Sequence, residues 1–334
     1  MVTISVIIPV YNAAQTIESC IMSVLKQSQH DLEVIVVDDA SSDSSEEIVR
    51  QIALVDKRVK YIRQDKNRGP AAARNKGIEK AIGKYVTFVD ADDTILPEME
   101  KSLVSNMETY DADMAACGYY LIDQEAKING TEHDGTAIVL MSALDTSKAI
   151  AMKNGCCIKG YVWSKLFKKR IIDENNIRFN ESLRMCEDEP FCHEYLLHCD
   201  KHIVYDPRPY YYYVYSPEGL TNSKLSQNKM TVFNAYDNMI NMCFGFHDSE
   251  LIELLEANKM CWITEVIKIA VKSKDEMQLY FSNSAFDMLT ENMKNYFTNT
   301  FIKNKTKIRV IQLKLLYPIY IKYRFSRSII RCLI

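Results

Sequence analysis

Three carboxylates stand within four residues at Asp90-Ala91-Asp92-Asp93. Such a run repels itself unless it is solvated or a cation sits among its oxygens. Hard oxygen donors suit Mg2+ or Mn2+, ions that usually take one or two carboxylates and complete their shell with water and substrate phosphate. A cation held there would neutralise a departing diphosphate. The run also reads as a solvated acidic turn ahead of a helix opened by Pro97. A second acidic run, Glu187-Asp188-Glu189, suits the first turn of a helix, where its charges meet the positive end of the dipole. A helix start is also a rigid place to fix a general base. Cys186, Cys192, His193, His198, Cys199 and His202 cluster in sequence but lack the spacing of structural zinc ligands. The chain has no Gly-rich phosphate loop of the kinase or dinucleotide type, and no Ser/His/Asp order stands out.

The elements that must position these residues follow from hydrophobic patterning. Apolar, β-branched runs at 4–8, 33–37, 59–63, 85–89 and 112–118 predict strands. Between them, 14–26, 45–55, 70–81 and 97–110 predict helices, with Ile17, Ile21, Val24 and Leu25 marking the apolar face of the first. This βαβ spacing implies a mostly parallel sheet with helices on both faces. Asp38-Asp39 and Asp90 to Asp93 fall at the C-terminal ends of two of these strands, where open α/β sheets bind ligands. The middle of the chain is mixed, with a helix around 188–197 and a tyrosine-rich strand at 210–215. From 228 to 300 the pattern is helical, with Leu251, Leu254, Leu255, Ile263, Val266 and Ile267 at helical spacing.

At 334 residues, the chain can hold one large α/β domain with an appendage. Its composition, 47% hydrophobic and 25% charged, is that of a globular protein rather than a disordered one. A net charge of -3 gives no ground for a nucleic-acid partner. Ten cysteines without C-x-x-C pairs, behind an N-terminus that does not read as a signal peptide, suggest reduced thiols in the cytoplasm.

Five motifs in order carry a resemblance. They are Pro9-Val10-Tyr11-Asn12, then Val36-Val37-Asp38-Asp39-Ala40-Ser41-Ser42-Asp43, then Asn67-Arg68-Gly69-Pro70-Ala71-Ala72-Ala73-Arg74-Asn75-Lys76-Gly77. Phe88-Val89-Asp90-Ala91-Asp92-Asp93 and Cys186-Glu187-Asp188-Glu189-Pro190-Phe191 complete the set. Over about residues 3–215 the chain resembles the family-2 glycosyltransferases of bacterial surface-polysaccharide assembly, inverting enzymes of the GT-A fold. The resemblance implies a Rossmann-like, mostly parallel sheet flanked by helices and followed by a helical C-terminal region. In that reading 1–118 is the nucleotide-sugar-binding half, 119–227 the acceptor-binding half, 228–302 a helical region and 303–334 a basic amphipathic tail.

The resemblance also implies roles. Pro9, Tyr11, Asn12 and Asp39 would hold the nucleotide, Tyr11 by stacking and Asp39 by accepting a base N–H. Arg74 would sit near the nucleotide or its phosphates. Asp90 and Asp92 would meet ribose or phosphate, and Asp92 or Asp93 would ligate Mn2+ or Mg2+. Asp188 would be the general base, with Glu187 supporting it or binding acceptor. Trp163 and Lys165 would lie on the acceptor side, Trp163 serving as a sugar platform or as a core residue. The segment 216–223 resembles a loop that closes over the donor in relatives.

The expected reaction is inverting transfer from a nucleotide-sugar donor, a UDP-sugar, to a saccharide or lipid-linked acceptor. A catalytically inactive nucleotide-sugar-binding scaffold and a sugar nucleotidyltransferase are the alternatives. The tail from Lys303 mixes basic and apolar residues and holds no acidic one. That pattern suits an interfacial helix on anionic lipid, at the inner face of the cell membrane, or a helix docked on the domain or on a second protomer.

Overall fold

The computed structural model describes residues 2–122, 128–131, 137–152, 158–215, 225–273, 276–291 and 302. Two compact units divide the chain, 1–219 and 220–334.

The first unit opens with the alternation expected from the sequence: β1 (Ile4–Val10), α1 (Ile17–Leu25), β2 (Leu32–Asp38), α2 (Ser45–Val55), β3 (Val59–Arg63), α3 (Pro70–Lys80) and β4 (Tyr85–Phe88). It continues with β5 (Thr94–Ile95), α4 (Met99–Thr109), β6 (Met114–Ile122), β7 (Ile128–Thr131), β8 (Val139–Met141) and α5 (Ala143–Met152). β9 (Lys165–Lys168), α6 (Lys169–Glu174), α7 (Asp188–Leu197) and β10 (Ile203–Val214) complete it. Among the described residues the strands form one ten-stranded sheet, with main order β3-β2-β1-β4-β9-β6-β10-β5. β1, β2, β3 and β4 run parallel, as do β6 and β10, while β9 lies antiparallel between β4 and β6.

Why these residues form this sheet is visible in their burial. β2 is buried along its whole length, and β1 at all but Pro9, as strands covered on both faces must be. α1 turns Ile17, Cys20, Ile21 and Val24 into the core, one stripe at helical spacing. α3 lies close to β1 because Gly77 has no side chain: a Cβ there would stand 2.3 Å from Ile7 Cγ2. That approach brings Arg74, one turn earlier, to the end of the sheet. Strand order reverses at β1, which has β2 on one side and β4 on the other. The crevice beyond the C-terminal ends of β1 and β4 is therefore where a ligand belongs.

α4 carries a buried acid. Glu100 is fully buried, and neither carboxylate oxygen has a hydrogen-bond partner. Burial pushes its pKa up to about 8, so the folded protein holds it neutral while the unfolded chain ionises it at the ordinary value for Glu. Between those two values the unfolded chain binds fewer protons, so stability falls as pH rises. We expect the unfolding free energy to drop by up to about 3 kcal/mol between about pH 5 and about pH 8. Urea titrations across that range should show the slope, and Glu100→Gln, which cannot ionise, should flatten it.

The second unit contains α8 (Gln227–Cys243), α9 (Ser249–Ser273) and α10 (Glu276–Glu291), with α9 packed against both others. Leu251, Leu254, Leu255, Ile263, Val266 and Ile267 are buried along α9, the stripe read from the sequence. Among the described residues no helix is long and apolar enough to cross a membrane. The segment 216–223 and the tail 303–334 lie outside the described residues.

Candidate active site

The crevice at the end of β1 and β2 is built by short polar loops. Beyond β1 the ring of Tyr11 is 54% exposed, with Pro9 half-buried before it. Asn12 has a positive φ of 50°. Its backbone N–H donates to Ser41 Oγ at 2.9 Å, and its Oδ1 accepts from the Ser42 N–H at 2.8 Å. Asp38 points inward, accepting from the Ser41 N–H, the Tyr61 hydroxyl and Arg63, so it braces the loop rather than facing a ligand. Asp39 accepts from the Arg68 and Gly69 backbone N–H groups, both at 2.7 Å, and from the Gln64 amide at 2.8 Å. Two carboxylate oxygens offer about four acceptor sites, so one remains for a ligand N–H.

Gly69 makes this loop possible. Its φ of +90° belongs to a region that side chains rarely adopt, and a Cβ there would meet the Arg184 guanidinium at 2.3 Å. Gly69→Ala is expected to cost about 1–3 kcal/mol in stability through backbone strain. The same change displaces the N–H that holds Asp39. Thermal melts of the two proteins check the cost.

Asp90, Asp92 and Asp93 follow β4 and divide by direction. Asp90 is partly exposed and paired with Arg74 at 2.9 Å. Asp92 is exposed, yet the surrounding protein and the Asp90 charge push its carboxyl above the usual carboxylate range. Asp93 is 1% exposed, with Oδ2 accepting from the Tyr211 hydroxyl at 2.6 Å and Oδ1 from the Val214 N–H at 2.8 Å. The expectation that Asp93 ligates a cation is therefore corrected. It is turned into the core and ties β4's end to β10, which leaves Asp92 as the open carboxylate. The described residues hold no ready-made group of three or more His, Cys, Asp or Glu able to bind a metal by themselves.

Arg74 joins this cluster to the other acidic motif. It is 4% exposed and reaches Asp90, Glu187 and Asp188 at 2.9, 2.8 and 3.0 Å. Asp188, the first residue of α7, presses its Oδ1 against Arg74, while its Oδ2 takes a long 3.4 Å contact from the Val162 N–H. Burial raises its pKa to about 7, against the lowering pull of Arg74 and with a further push from Glu187 and Asp90.

The segment before α7 is clamped to α3. Asn75 exchanges two hydrogen bonds with the Phe179 backbone, both 2.9 Å, and Arg68 pairs with Glu181. Arg184 donates to the Arg68 carbonyl. Sequence reading missed Tyr211, Asn75, Glu181 and Arg184. Asn75 lies inside a motif already singled out, a polar residue following three alanines and an arginine in a helix that packs on the sheet; it is 7% exposed and so must be partnered.

Trp163 and Lys165 are each 2% exposed. Trp163 lies parallel to Tyr161, Tyr211 and Tyr213 at centroid distances of 4.6, 4.6 and 5.3 Å, with Tyr119 edge-on at 4.9 Å. Lys165 donates to the Tyr161 carbonyl at 2.5 Å. Neither side chain offers an open face: Trp163 is a core residue, one of the two readings open to it, and the expected direct contact of Lys165 with acceptor is corrected by its burial.

The pattern of Glycosyl transferase family 2 matches residues 5–170. The Streptococcus pneumoniae glycosyltransferase GlyG is 30% identical over 221 residues, which span 63% of this chain and 70% of GlyG. The uncharacterized glycosyltransferase EpsJ of Bacillus subtilis is 33% identical over 188 residues, 56% of this chain, and the match spans only 54% of EpsJ. The crystal structure of residues 1–349 of Staphylococcus aureus TarS with UDP-GlcNAc superposes with a TM-score of 0.63. It is 19% identical and covers 87% of this chain and 91% of its own, a likeness of fold. Sequence pattern, relatives and the placement of the motifs together assign the chain to glycosyltransferase family 2.

Proposed function

We propose that the protein transfers a sugar, with inversion, from a UDP-sugar to a hydroxyl of a saccharide or lipid-linked acceptor. The observation that carries the reading is the Arg74 bridge, which sets a donor-side carboxylate, Asp90, and a buried base, Asp188, on one guanidinium. In this reading Tyr11 stacks on the base and Asp39 accepts its N–H. Asp188 takes the proton of the acceptor hydroxyl through Oδ2 as the hydroxyl oxygen attacks the anomeric carbon. The bond to the diphosphate breaks on the opposite face, so the new linkage has the inverted configuration and no covalent enzyme intermediate forms. Glu187 fixes the guanidinium that steadies Asp188.

A divalent cation fits the donor side, because Asp92 is an exposed carboxylate beside Asp90 and beyond the end of β4, a hard oxygen donor for such an ion. Bound by Asp92 and the donor's phosphates, Mn2+ or Mg2+ would supply the positive charge that the leaving diphosphate needs. TarS was crystallised with UDP-GlcNAc, and this supports a UDP-sugar as the donor class here. The acid-free, basic and apolar tail at 303–334 supports an acceptor at an anionic lipid surface.

A panel of UDP-sugars with Mn2+ tests the reading. One donor should bind and be slowly hydrolysed, and Asp92→Asn should weaken its metal-dependent binding by about tenfold or more. Binding without any hydrolysis or transfer would favour an inactive scaffold. Absence of binding with and without metal would remove the donor site.

A further inference from the structure

Among the described residues of the first unit, three large aromatic side chains stand exposed, Tyr11, Tyr161 and Tyr215. Tyr11 is assigned above to the nucleotide. Tyr161, 45% exposed, has so far no role. Its chain neighbour Val162 donates to Asp188 Oδ2, so the Tyr161 backbone lies one residue from the proposed base. The inner face of Tyr161 is backed by Trp163 at 4.6 Å and 11°. Its carbonyl is held by the buried Lys165 ammonium. Trp163 also stacks on Tyr213 and on Tyr211, whose hydroxyl donates to Asp93. The cluster of rings therefore reaches the donor-side end of β4.

We propose that the outer face of Tyr161 is the platform on which the acceptor's pyranose ring stacks, Trp163 and Lys165 serving as its rigid support. The inference rests on the transferase reading and adds to it where the acceptor binds and what chemical class it has. A pyranose carries a face of C–H groups polarised by neighbouring oxygens, and that face meets the negative face of an aromatic ring. A ring already held by a parallel neighbour and a fixed carbonyl loses little freedom on binding. The placement also explains why Trp163 and Lys165 are buried. A tryptophan that stacks on sugar must expose a face, whereas one that stiffens another ring need not.

Methyl glycosides of glucose, galactose, mannose and N-acetylglucosamine are suitable probes. With UDP bound, saturation-transfer NMR should show at least one of them binding. Tyr161→Ala should weaken it about tenfold, Tyr161→Phe should hold it within about twofold, and UDP affinity should stay unchanged in both. If the alanine variant loses UDP affinity, Tyr161→Ser replaces it. Unchanged glycoside affinity without the ring overturns the proposal. So does a failure of all four probes to bind while UDP binds, and in that case the donor reading survives. Failure of the wild type to bind any UDP-sugar defeats the transferase reading, and the platform with it.

Discussion

Asp188→Asn is expected to lower turnover about a thousandfold while leaving UDP-sugar affinity within about twofold. The carboxylate is the group placed to accept the acceptor's proton, and an amide of the same shape cannot accept it. The change should not unseat the site, because Arg74 keeps Asp90 and Glu187 as partners. Wild-type activity should also carry this group's titration. Its pKa is raised to about 7, chiefly by burial, so below that pH the base is protonated and idle. The logarithm of kcat/KM should then climb with unit slope and level off above about pH 7. The variant's residual rate should show no such limb. A variant with wild-type turnover, or an unchanged pH limb, would move the base elsewhere.

Much of the frame was legible because burial on both faces leaves a simple trace. β1, β2 and β4 are apolar runs with turn residues behind them, and each was placed within about two residues. β9 was missed for a physical reason. Lys-Leu-Phe-Lys shows lysines at both ends, and nothing local reveals that Lys165 is buried and bonded to a backbone carbonyl. β10 was seen only in its tyrosine half. Pro207 and Pro209 argue against a strand, and the chain tolerates them through register shifts between Asp206 and Tyr211.

The site shows the same division. The family resemblance pointed to Asp39, Arg74, Asp90 and Asp188, and in the structure Arg74, inside α3, reaches both Asp90 and Asp188. The resemblance could not separate Asp92 from Asp93. These neighbours differ because 90–93 form a turn, closed by the Asp93 N–H on the Asp90 carbonyl, that leaves Asp92 at the solvent and aims Asp93 at Tyr211. That Arg74 meets Glu187, 113 positions away, is likewise a fact of packing. Small residues let α3 approach β1, and only then does the guanidinium reach all three acids.

Arg74 should therefore be the costliest single loss. Arg74→Met keeps most of the apolar stem but leaves Asp90, Glu187 and Asp188 facing one another, with side chains 28%, 12% and 17% exposed. Breaking one partner of a buried ionic cluster costs about 3–5 kcal/mol, because the stranded charges are neither solvated nor paired. The stranded carboxylates would respond by holding protons, their pKa values rising above those of the unfolded chain. Their contribution to stability is then present in acid and lost as pH rises, so the deficit relative to wild type should be largest near pH 7 and shrink towards about pH 5. Arg74→Lys should recover only part of the loss, since one ammonium cannot bridge three acids as a planar guanidinium does. Adding Asp90→Asn to Arg74→Met should restore stability, by removing one of the repelling charges, without restoring turnover. In the double variant Asp188 would still lack the charge that holds its pKa down, and any residual pH limb should sit above the wild-type position. Equal stability losses at both pH values, or no recovery in the double variant, would show that Arg74 acts through packing and that the three carboxylates are not energetically joined.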